Sequence, residues 1–188
     1  MSIQVHPAAD NRSWYAIRVQ SRFESVVSLA LRGKGYEEFL PVYHARRRWS
    51  DRFKQVDLPL FPGYLFCRFD VTVRLPILIT TGVVSIVGAG KTPVPVPDDE
   101  IIAVRRTLAS GLPARPWPFL NVGCQVYVER GPLAGIEGII VNTDKKYRLI
   151  LSVPLLQRSV AVEIDREDAR PVLKGTGPHA VTRAARVA

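Results

Sequence analysis

The pattern of apolar and polar positions predicts that the chain begins with a strand followed by a helix. Trp14–Val19 is aromatic and β-branched, which is typical of a central strand. Ser21–Glu24 has the spacing of a capping box, and the apolar residues after it recur at steps of three and four, as on one face of a helix. Gly33 and Gly35 are expected to end this helix.

The pattern predicts further elements up to about residue 110. Strands are predicted over Tyr36–Tyr43, within Asp57–Asp70 and over Val83–Val87. A short apolar helix is predicted over Val73–Thr81, and a helix with an acidic start over Asp98–Gly111. The order predicts an α+β fold, a sandwich of helices packed on a mostly antiparallel sheet.

Composition changes sharply at Gly111–Pro118, where three prolines fall within six residues. Such a stretch cannot sustain a helix or a central strand, and it favours an extended, semi-stiff connection. We therefore predict a first domain at 13–109, a Pro-rich linker at 110–120, a second domain at 121–173 and a loose basic tail at 174–188.

The second domain is predicted to consist of strands alone. Apolar residues alternate with polar or small ones around Val126–Val128, Ile139–Val141 and Val160–Ile164. Several short strands within about fifty residues predict a small closed barrel, because so short a sheet must protect its edges.

Charge is distributed unevenly along the chain. The formal net charge is +9; residues 1–107 carry 15 Lys and Arg against 10 Asp and Glu, whereas residues 122–173 carry seven of each. An excess of positive charge favours a polyanionic partner. Contact with nucleic acid is therefore predicted for the first domain rather than the second.

The residue spacings of an enzyme or a metal site are not evident in the sequence. His6, His44 and His179 are isolated, and the acidic run Asp98–Glu100 is explained by favourable charge at a helix start. We expect no catalytic residue, no metal and no cofactor.

The sequence also predicts a cytoplasmic monomer without membrane contact. No run approaches the roughly 20 apolar residues of a membrane helix. Met1–Arg12 lacks the apolar stretch of a secretory signal. Cys67 and Cys124 lie far apart without CxxC spacing, as expected of two thiols in a reducing compartment.

Three short segments are candidate binding sites. Gly131–Gly138 is glycine-rich, and its Leu133 and Ile136 are either buried anchors of a plain hairpin turn or an exposed loop for a protein partner. Phe61–Phe66 contains a Pro-Gly pair that predicts a bulge or bend among aromatic residues. Arg46–Lys54 has five basic residues with two aromatics, which fits either a solvated hairpin tip or a contact with DNA phosphates and bases.

These segments carry a family resemblance. Val126–Ile140, with Gly131-Pro132 and later glycines, resembles the KOW motif. Trp14-Tyr15, Leu60–Phe66 and Val84–Gly88 resemble the N-terminal domain of the NusG family of transcription factors in content and order. The resemblance covers roughly residues 13–173 and implies a five-stranded SH3-like barrel for the second domain.

The resemblance implies a transcription elongation factor that binds the clamp helices of the largest RNA polymerase subunit. The implied polymerase-binding residues are Phe61, Tyr64 and Phe66, with Pro62 and Tyr15 in support. The implied contacts with upstream or non-template DNA are Arg46, Arg47, Arg48, Arg52 and Lys54, and more weakly Arg18 and Arg22. The implied partner of the KOW domain, at Leu133 and Ile136, is termination factor Rho or the ribosome.

Two alternatives stay open at this level. The basic hairpin, the acidic-poor N-terminus and Gly135-Ile136, where an aromatic is commoner, favour a specialised antitermination paralogue, similar to RfaH or the polysaccharide-operon regulators, over a general factor. The rival outside the family is a ribosome- or RNA-binding KOW protein without a role at polymerase.

Overall fold

The structure is a computed structural model that describes residues 11–49, 52–118, 124–143, 146–165 and 168–171. The chain divides into two compact units, Met1–Ile101 and Ile102–Ala188. The predicted loose tail at 174–188 lies outside the described residues.

The first unit is built on an antiparallel sheet. Its strands are β1 Ser13–Val19, β2 Glu37–Phe39, β3 Val42–Trp49, β4 Arg52–Pro59, β5 Tyr64–Phe69, β6 Val83–Ile86, β7 Gly88–Ala89, β8 Thr92–Pro93 and β9 Pro95–Val96. The main sheet has the order β2-β5-β1-β6, and β9 also pairs with β1. The pairs β3-β4 and β7-β8 form two separate hairpins. The central position predicted for the first strand is therefore correct.

Within the described residues the α-helices are α1 Glu24–Gly33, α2 Leu75–Leu78 and α3 Asp98–Ala109, and short 3₁₀ helices span Val71–Val73 and Pro154–Leu156. The acidic first turn predicted for the last helix is present in α3, where negative charge favours the helix start. The predicted capping box does not form: the residue before α1 is Phe23, and no side chain caps its first turn.

One face of the main sheet forms the core of the first unit with α1 and α2. Alternate residues of β1 and β5 point to this face, as strand geometry requires. Its buried members are Tyr15, Ile17, Val19, Val27, Leu31, Leu65, Cys67, Phe69 and Ile77. The face of α1 that packs here consists of Glu24, Val27, Ser28 and Leu31, whereas Val26 and Leu29 are more than half exposed.

The second unit contains one six-stranded antiparallel sheet, which we call the C-terminal sheet. Its strands are β10 Ala114–Pro118, β11 Cys124–Val128, β12 Glu137–Thr143, β13 Lys146–Val153, β14 Arg158–Ile164 and β15 Ala169–Pro171, in the order β10-β14-β13-β12-β11-β15. The predicted α+β domain followed by an all-β domain is confirmed. The sheet has one strand more than the five implied by the resemblance.

The additional strand, β10, lies where the sequence predicts a linker. Ala114–Pro118 pairs with β14 along its whole length, from Ala114 opposite Val162 to Pro118 opposite Arg158. Proline is tolerated there because β10 is an edge strand, whose free side needs no amide donors. The division between the two units also differs from the predicted boundary at residue 110, because it falls inside α3.

Candidate functional site

The Phe61–Tyr64 segment forms a tight turn between β4 and β5. The Tyr64 amide donates to the Phe61 carbonyl at 3.0 Å. Pro62 stands at the second position and Gly63 at the third, with φ of +83°. This combination is typical of a type II turn, since proline presets the first angle and the positive φ at the third position favours glycine. The Pro-Gly pair therefore makes the predicted bend, as a turn between two strands and not as a bulge within one long strand.

Gly63 is held by hydrogen bonds on both sides. Its amide donates to Oε1 of Glu24 at 2.8 Å, and its carbonyl accepts from the amide of Val19 at 2.9 Å. Glu24 is 8% exposed, so its carboxylate is committed to this contact in a largely dry environment. The sequence pattern predicts Glu24 as part of a helix cap and does not reveal its hydrogen bond to Gly63. The one sequence signal for this role is an acidic residue at the start of α1.

The predicted polymerase-binding aromatics do not form one exposed patch. Phe61 and Phe66 are each 0% exposed and meet edge to face with ring centroids 5.7 Å apart. Tyr15 is 6% exposed and lies on the opposite face of the sheet, against Phe69 at 4.8 Å. Their burial excludes Phe61, Phe66 and Tyr15 as accessible contacts, and Phe61 and Phe66 pack together beneath the turn.

The exposed part of this site consists of three residues around the turn. Pro62 is exposed and Tyr64 is half-buried. Arg18 is exposed and lies directly opposite Tyr64 in the β1–β5 register. The structure thus brings one predicted polymerase-binding residue next to one predicted DNA-binding residue, and we call Arg18, Pro62 and Tyr64 the turn surface.

Arg22 occupies a turn near the same end of β1. Its φ of +69° is unusual for a residue other than glycine, and the turn is closed by a bond of 3.0 Å from the Phe23 amide to the Gln20 carbonyl. Arg22 is exposed. Backbone strain of this kind is often retained at functional positions, which supports Arg22 as a site residue.

The basic segment is confirmed as a hairpin by the pairing of β3 with β4. The register runs from Val42 opposite Pro59 to Trp49 opposite Arg52. Arg46 stands opposite Gln55 and Arg47 opposite Lys54 along the backbone. The tip and the side chains of 46–54 lie outside the described residues.

The Gly131–Ile136 loop buries its apolar side chains. Leu133 is 1% exposed and Ile136 is 5% exposed, and both belong to the core of the C-terminal sheet. Gly131 and Gly135 have positive φ, of +80° and +89°, as the tight turn demands. Of the two interpretations left open by the sequence, the structure therefore has the plain hairpin with buried anchors.

Gly138 is needed for a different reason. A Cβ added there would lie 2.7 Å from Cδ1 of Leu149 and 2.9 Å from the carbonyl of Ile150. The glycine thus permits the close approach of β12 to β13 rather than a special backbone angle.

The second half of α3 lies over this loop within the second unit. Arg106 donates to the carbonyl of Ala134 at 3.4 Å, and Ala103 packs against the core that contains Leu133 and Ile136. This part of α3 therefore packs against the loop and the core beneath it.

Exposed apolar side chains on α2 and its flanks are a feature that the sequence analysis did not single out. Val73, Leu75 and Ile79 are 60%, 66% and 69% exposed. The apolar run at Val73–Thr81 predicted the helix correctly, but α2 spans only Leu75–Leu78 and buries only Ile77. A helix of one turn has too little length to turn every apolar residue inward.

Two titratable groups have shifted pKa values. Burial, with the nearby Asp99 carboxylate, raises the pKa of Glu100 to about 7. Burial, with the charges of Glu38 and Glu37, raises the pKa of the Cys67 thiol to about 12, so this thiol is not an activated nucleophile. Among the described residues, no group of three His, Cys, Asp or Glu side chains is placed to hold a metal ion.

Within the described residues, no helix has the length and apolar character needed to cross a bilayer.

Comparisons with known proteins identify the family. Residues 12–105 match the family described as "Transcription termination factor nusG". The Transcription termination/antitermination protein NusG of Escherichia coli K12 is 28% identical over 177 residues, covering 84% of this chain and 94% of that protein. The protein of the same description from Vibrio vulnificus is 28% identical over 171 residues, with the same coverage.

A solved structure supports the fold. The structure described as "Domain interaction in Thermotoga maritima NusG" superposes with a TM-score of 0.55 at 20% identity, and the match covers 86% of this chain and 98% of that one.

The fold is an α+β unit with a Pro-Gly turn, followed by an antiparallel sheet with a glycine-rich loop, and it is the two-part architecture of the superposed structure. The chain belongs to the NusG family of transcription termination/antitermination factors, which are not enzymes.

Proposed function

We propose that the first unit binds RNA polymerase through the turn surface. Pro62 is exposed and Tyr64 half-buried, and Gly63 between them is fixed by Glu24 and Val19. A rigid turn that presents an aromatic ring loses little entropy on binding, which is typical of an interface anchor. The expected partner is the pair of clamp helices of the largest polymerase subunit. Phe61 and Phe66 support the turn from the interior, whereas Tyr15 stabilises the opposite face of the sheet.

Nucleic acid is the second proposed partner of this unit. Arg18 lies beside Tyr64, so a protein bound at the turn surface would bring upstream or non-template DNA within reach of Arg18 and Arg22. The hairpin β3–β4 carries five further basic residues, Arg46, Arg47, Arg48, Arg52 and Lys54, whose charges would neutralise phosphates without reading sequence.

In mechanism, the first unit acts as a bridge across the polymerase cleft. Binding only the closed, elongating state shifts the equilibrium towards that state by the difference in affinity. Pausing is thereby suppressed.

The second unit is proposed to recruit Rho or the ribosome at raised effective concentration. Pro132 and Ala134 are exposed on its loop, together with Gly131 and Gly135, and Leu133 and Ile136 fix the shape of the loop from inside.

We further propose that the chain is a specialised antitermination factor. The observations that favour this are the basic hairpin and Ile136, which stands where an aromatic residue is commoner. A general elongation factor is the alternative within the family.

Capture of purified bacterial RNA polymerase by the immobilised full chain tests the polymerase proposal. Tyr64→Ala is expected to weaken binding about 30-fold, the effect of losing an anchor worth about 2 kcal/mol. Tyr127→Ala serves as the matched control, because Tyr127 is 43% exposed on the C-terminal sheet. Undiminished capture by Tyr64→Ala would remove the turn surface as the contact.

Failure of the unaltered chain to bind polymerase would favour the rival function. A KOW protein of the ribosome- or RNA-binding type should then co-sediment with ribosomes or shift a labelled RNA, and neither property should depend on Tyr64.

A further inference from the structure

A cleft of about 250 Å³ opens in the second unit, beside the Gly131–Ile136 loop. It is formed by the residues just before β10, by the end of β14 and by the strand that leads into the loop. The lining residues are Leu112, Pro113, Val128, Arg130, Pro132, Leu133, Glu163, Ile164, Asp165 and Asp168. All of them belong to the second unit.

The floor of the cleft is apolar and rigid. Val128, Leu133 and Ile164 are core residues of the C-terminal sheet, each 6% exposed or less. Pro113 and Pro132 are exposed at the mouth. Side chains that the core already fixes do not have to be ordered when a ligand binds, so the cleft can accept an apolar group at low entropic cost.

The rim of the cleft is acidic, in contrast to the chain as a whole. Glu163, Asp165 and Asp168 contribute three carboxylates, and Arg130 contributes one positive charge, in a chain whose net charge is +9. The sequence between Asp165 and Asp168 adds one Arg and one Glu, which leaves the local balance unchanged. A negative rim repels polyanions, so nucleic acid is a poor occupant of this cleft.

Asp168 is positioned by the backbone around it. Its carbonyl accepts from the Glu129 amide at 2.8 Å, and its amide donates to the Asp165 carbonyl at 3.2 Å. Gly131 leaves the space that its carboxylate uses, because a Cβ there would lie 3.1 Å from Oδ2 of Asp168. The acidic rim is therefore preorganised together with the loop.

We infer that this cleft binds a Lys or Arg side chain and an adjacent apolar side chain of a protein partner. The apolar side chain rests on the floor of Val128, Leu133 and Ile164, between the prolines of the mouth, and the cation faces Asp165 and Asp168. The inference rests on the proposed role of the second unit in recruiting a second factor, and it gives that factor a chemical class: a cationic, partly apolar peptide segment. Leu133 thereby belongs both to the core of the C-terminal sheet and to the floor of the cleft.

Two small peptides test the inference by NMR on the ¹⁵N-labelled full chain. Acetyl-Leu-Arg-amide carries the cation, and acetyl-Leu-citrulline-amide is its neutral isostere. The arginine peptide is expected to shift the amides of Val128, Leu133 and Asp165 saturably below about 20 mM, and the citrulline peptide to bind about tenfold more weakly. Equal binding of the two peptides, or no saturable shift of these amides, would overturn the inference.

A variant pair locates the charge that matters. Asp165→Asn preserves shape and is expected to reduce the affinity for the arginine peptide about tenfold, because one carboxylate of the rim is lost. Glu137→Gln is the control, since Glu137 is exposed on β12 and does not line the cleft. Equal affinity of Asp165→Asn and the unaltered chain would count against the cleft.

Read-through at a Rho-dependent terminator, measured with the same samples, separates this inference from the recruitment proposed for the second unit. A chain that changes read-through but shows no arginine-dependent shift contradicts only the inference about the cleft. A chain that shows the shift without changing read-through contradicts only the recruitment proposal.

Discussion

At the scale of single residues, Glu24 connects α1 to the turn surface. It begins the helix in sequence, yet its carboxylate binds the amide of Gly63, 39 residues away. Because this amide lies in a turn, no backbone acceptor replaces the carboxylate if it is removed. The geometry of the turn therefore depends on a side chain from another element.

Glu24→Ala should destabilise the protein by about 1–3 kcal/mol, because the half-buried Gly63 amide loses its acceptor. Urea unfolding of the full chain measures this. Glu24→Gln keeps an acceptor oxygen at the same place and should recover more than half of the loss. Equal destabilisation by both substitutions would show that the charge, rather than the hydrogen bond, holds the turn.

Glu100 introduces a pH dependence at the start of α3. Its pKa is raised from 4.5 to about 7, so between these values the folded state keeps a proton that the unfolded state has released. The contribution of Glu100 to the free energy of unfolding is therefore largest at acid pH, below 4.5, and it is lost as the pH rises towards 7. One oxygen of the carboxyl, Oε2, is buried and has no hydrogen-bond partner, which agrees with the direction of the shift.

Glu100→Gln should raise the free energy of unfolding by about 1–2 kcal/mol at pH 8, after allowing for solvent screening, and leave it nearly unchanged at pH 4. Thermal melting at the two pH values measures the difference. Asp98→Asn, at an exposed position of the same helical turn, is the control. A gain for Glu100→Gln that is the same at both pH values would refute the assignment.

At the scale of elements, β10 changes where the second domain begins. It supplies the edge of the C-terminal sheet, and Trp117 on it has the guanidinium groups of Arg115 and Arg148 at 5.6 and 5.5 Å from its ring centroid. Cation–π contacts of this kind add to the backbone pairing with β14. A fragment that starts after residue 118 would leave one side of β14 unpaired.

A fragment of residues 110–173 should therefore be more stable than a fragment of residues 121–173. We expect a difference of about 2 kcal/mol in urea unfolding, and slower amide exchange in β14 of the longer fragment. Equal stability of the two fragments would indicate that 110–120 acts as the linker predicted from the sequence.

The sequence allowed most elements to be predicted, because periodicity reports which face of an element is apolar. It did not reveal β10, because closely spaced prolines fit an edge strand as well as a linker, and the deciding fact is the open side of β14. It left the orientation of Leu133 open, because a glycine-rich loop can turn an apolar residue either way. The aromatic motif around Phe61 was recognised, but its burial depends on packing that no local pattern encodes.

At the scale of the whole molecule, the two units are expected to contribute separately to transcription. The full chain and a fragment of residues 1–109 should shorten pauses to a similar extent in single-round transcription, because both contain the turn surface. Only the full chain should change read-through at Rho-dependent terminators, since recruitment is assigned to the second unit. A fragment that alters Rho-dependent read-through as the full chain does would contradict this division.

The position of the unit boundary inside α3 has a consequence for how such a chain can evolve. Ile101 and Ile102 are neighbours in one continuous helix, but they fall in different compact units. If related genes exchanged their C-terminal parts, both hydrophobic cores would be preserved only when all of α3 came from one parent gene. We therefore expect recombinant proteins to fold when the exchange falls at either end of α3, and to fold poorly when it falls within α3. The whole helix would then be inherited as one segment.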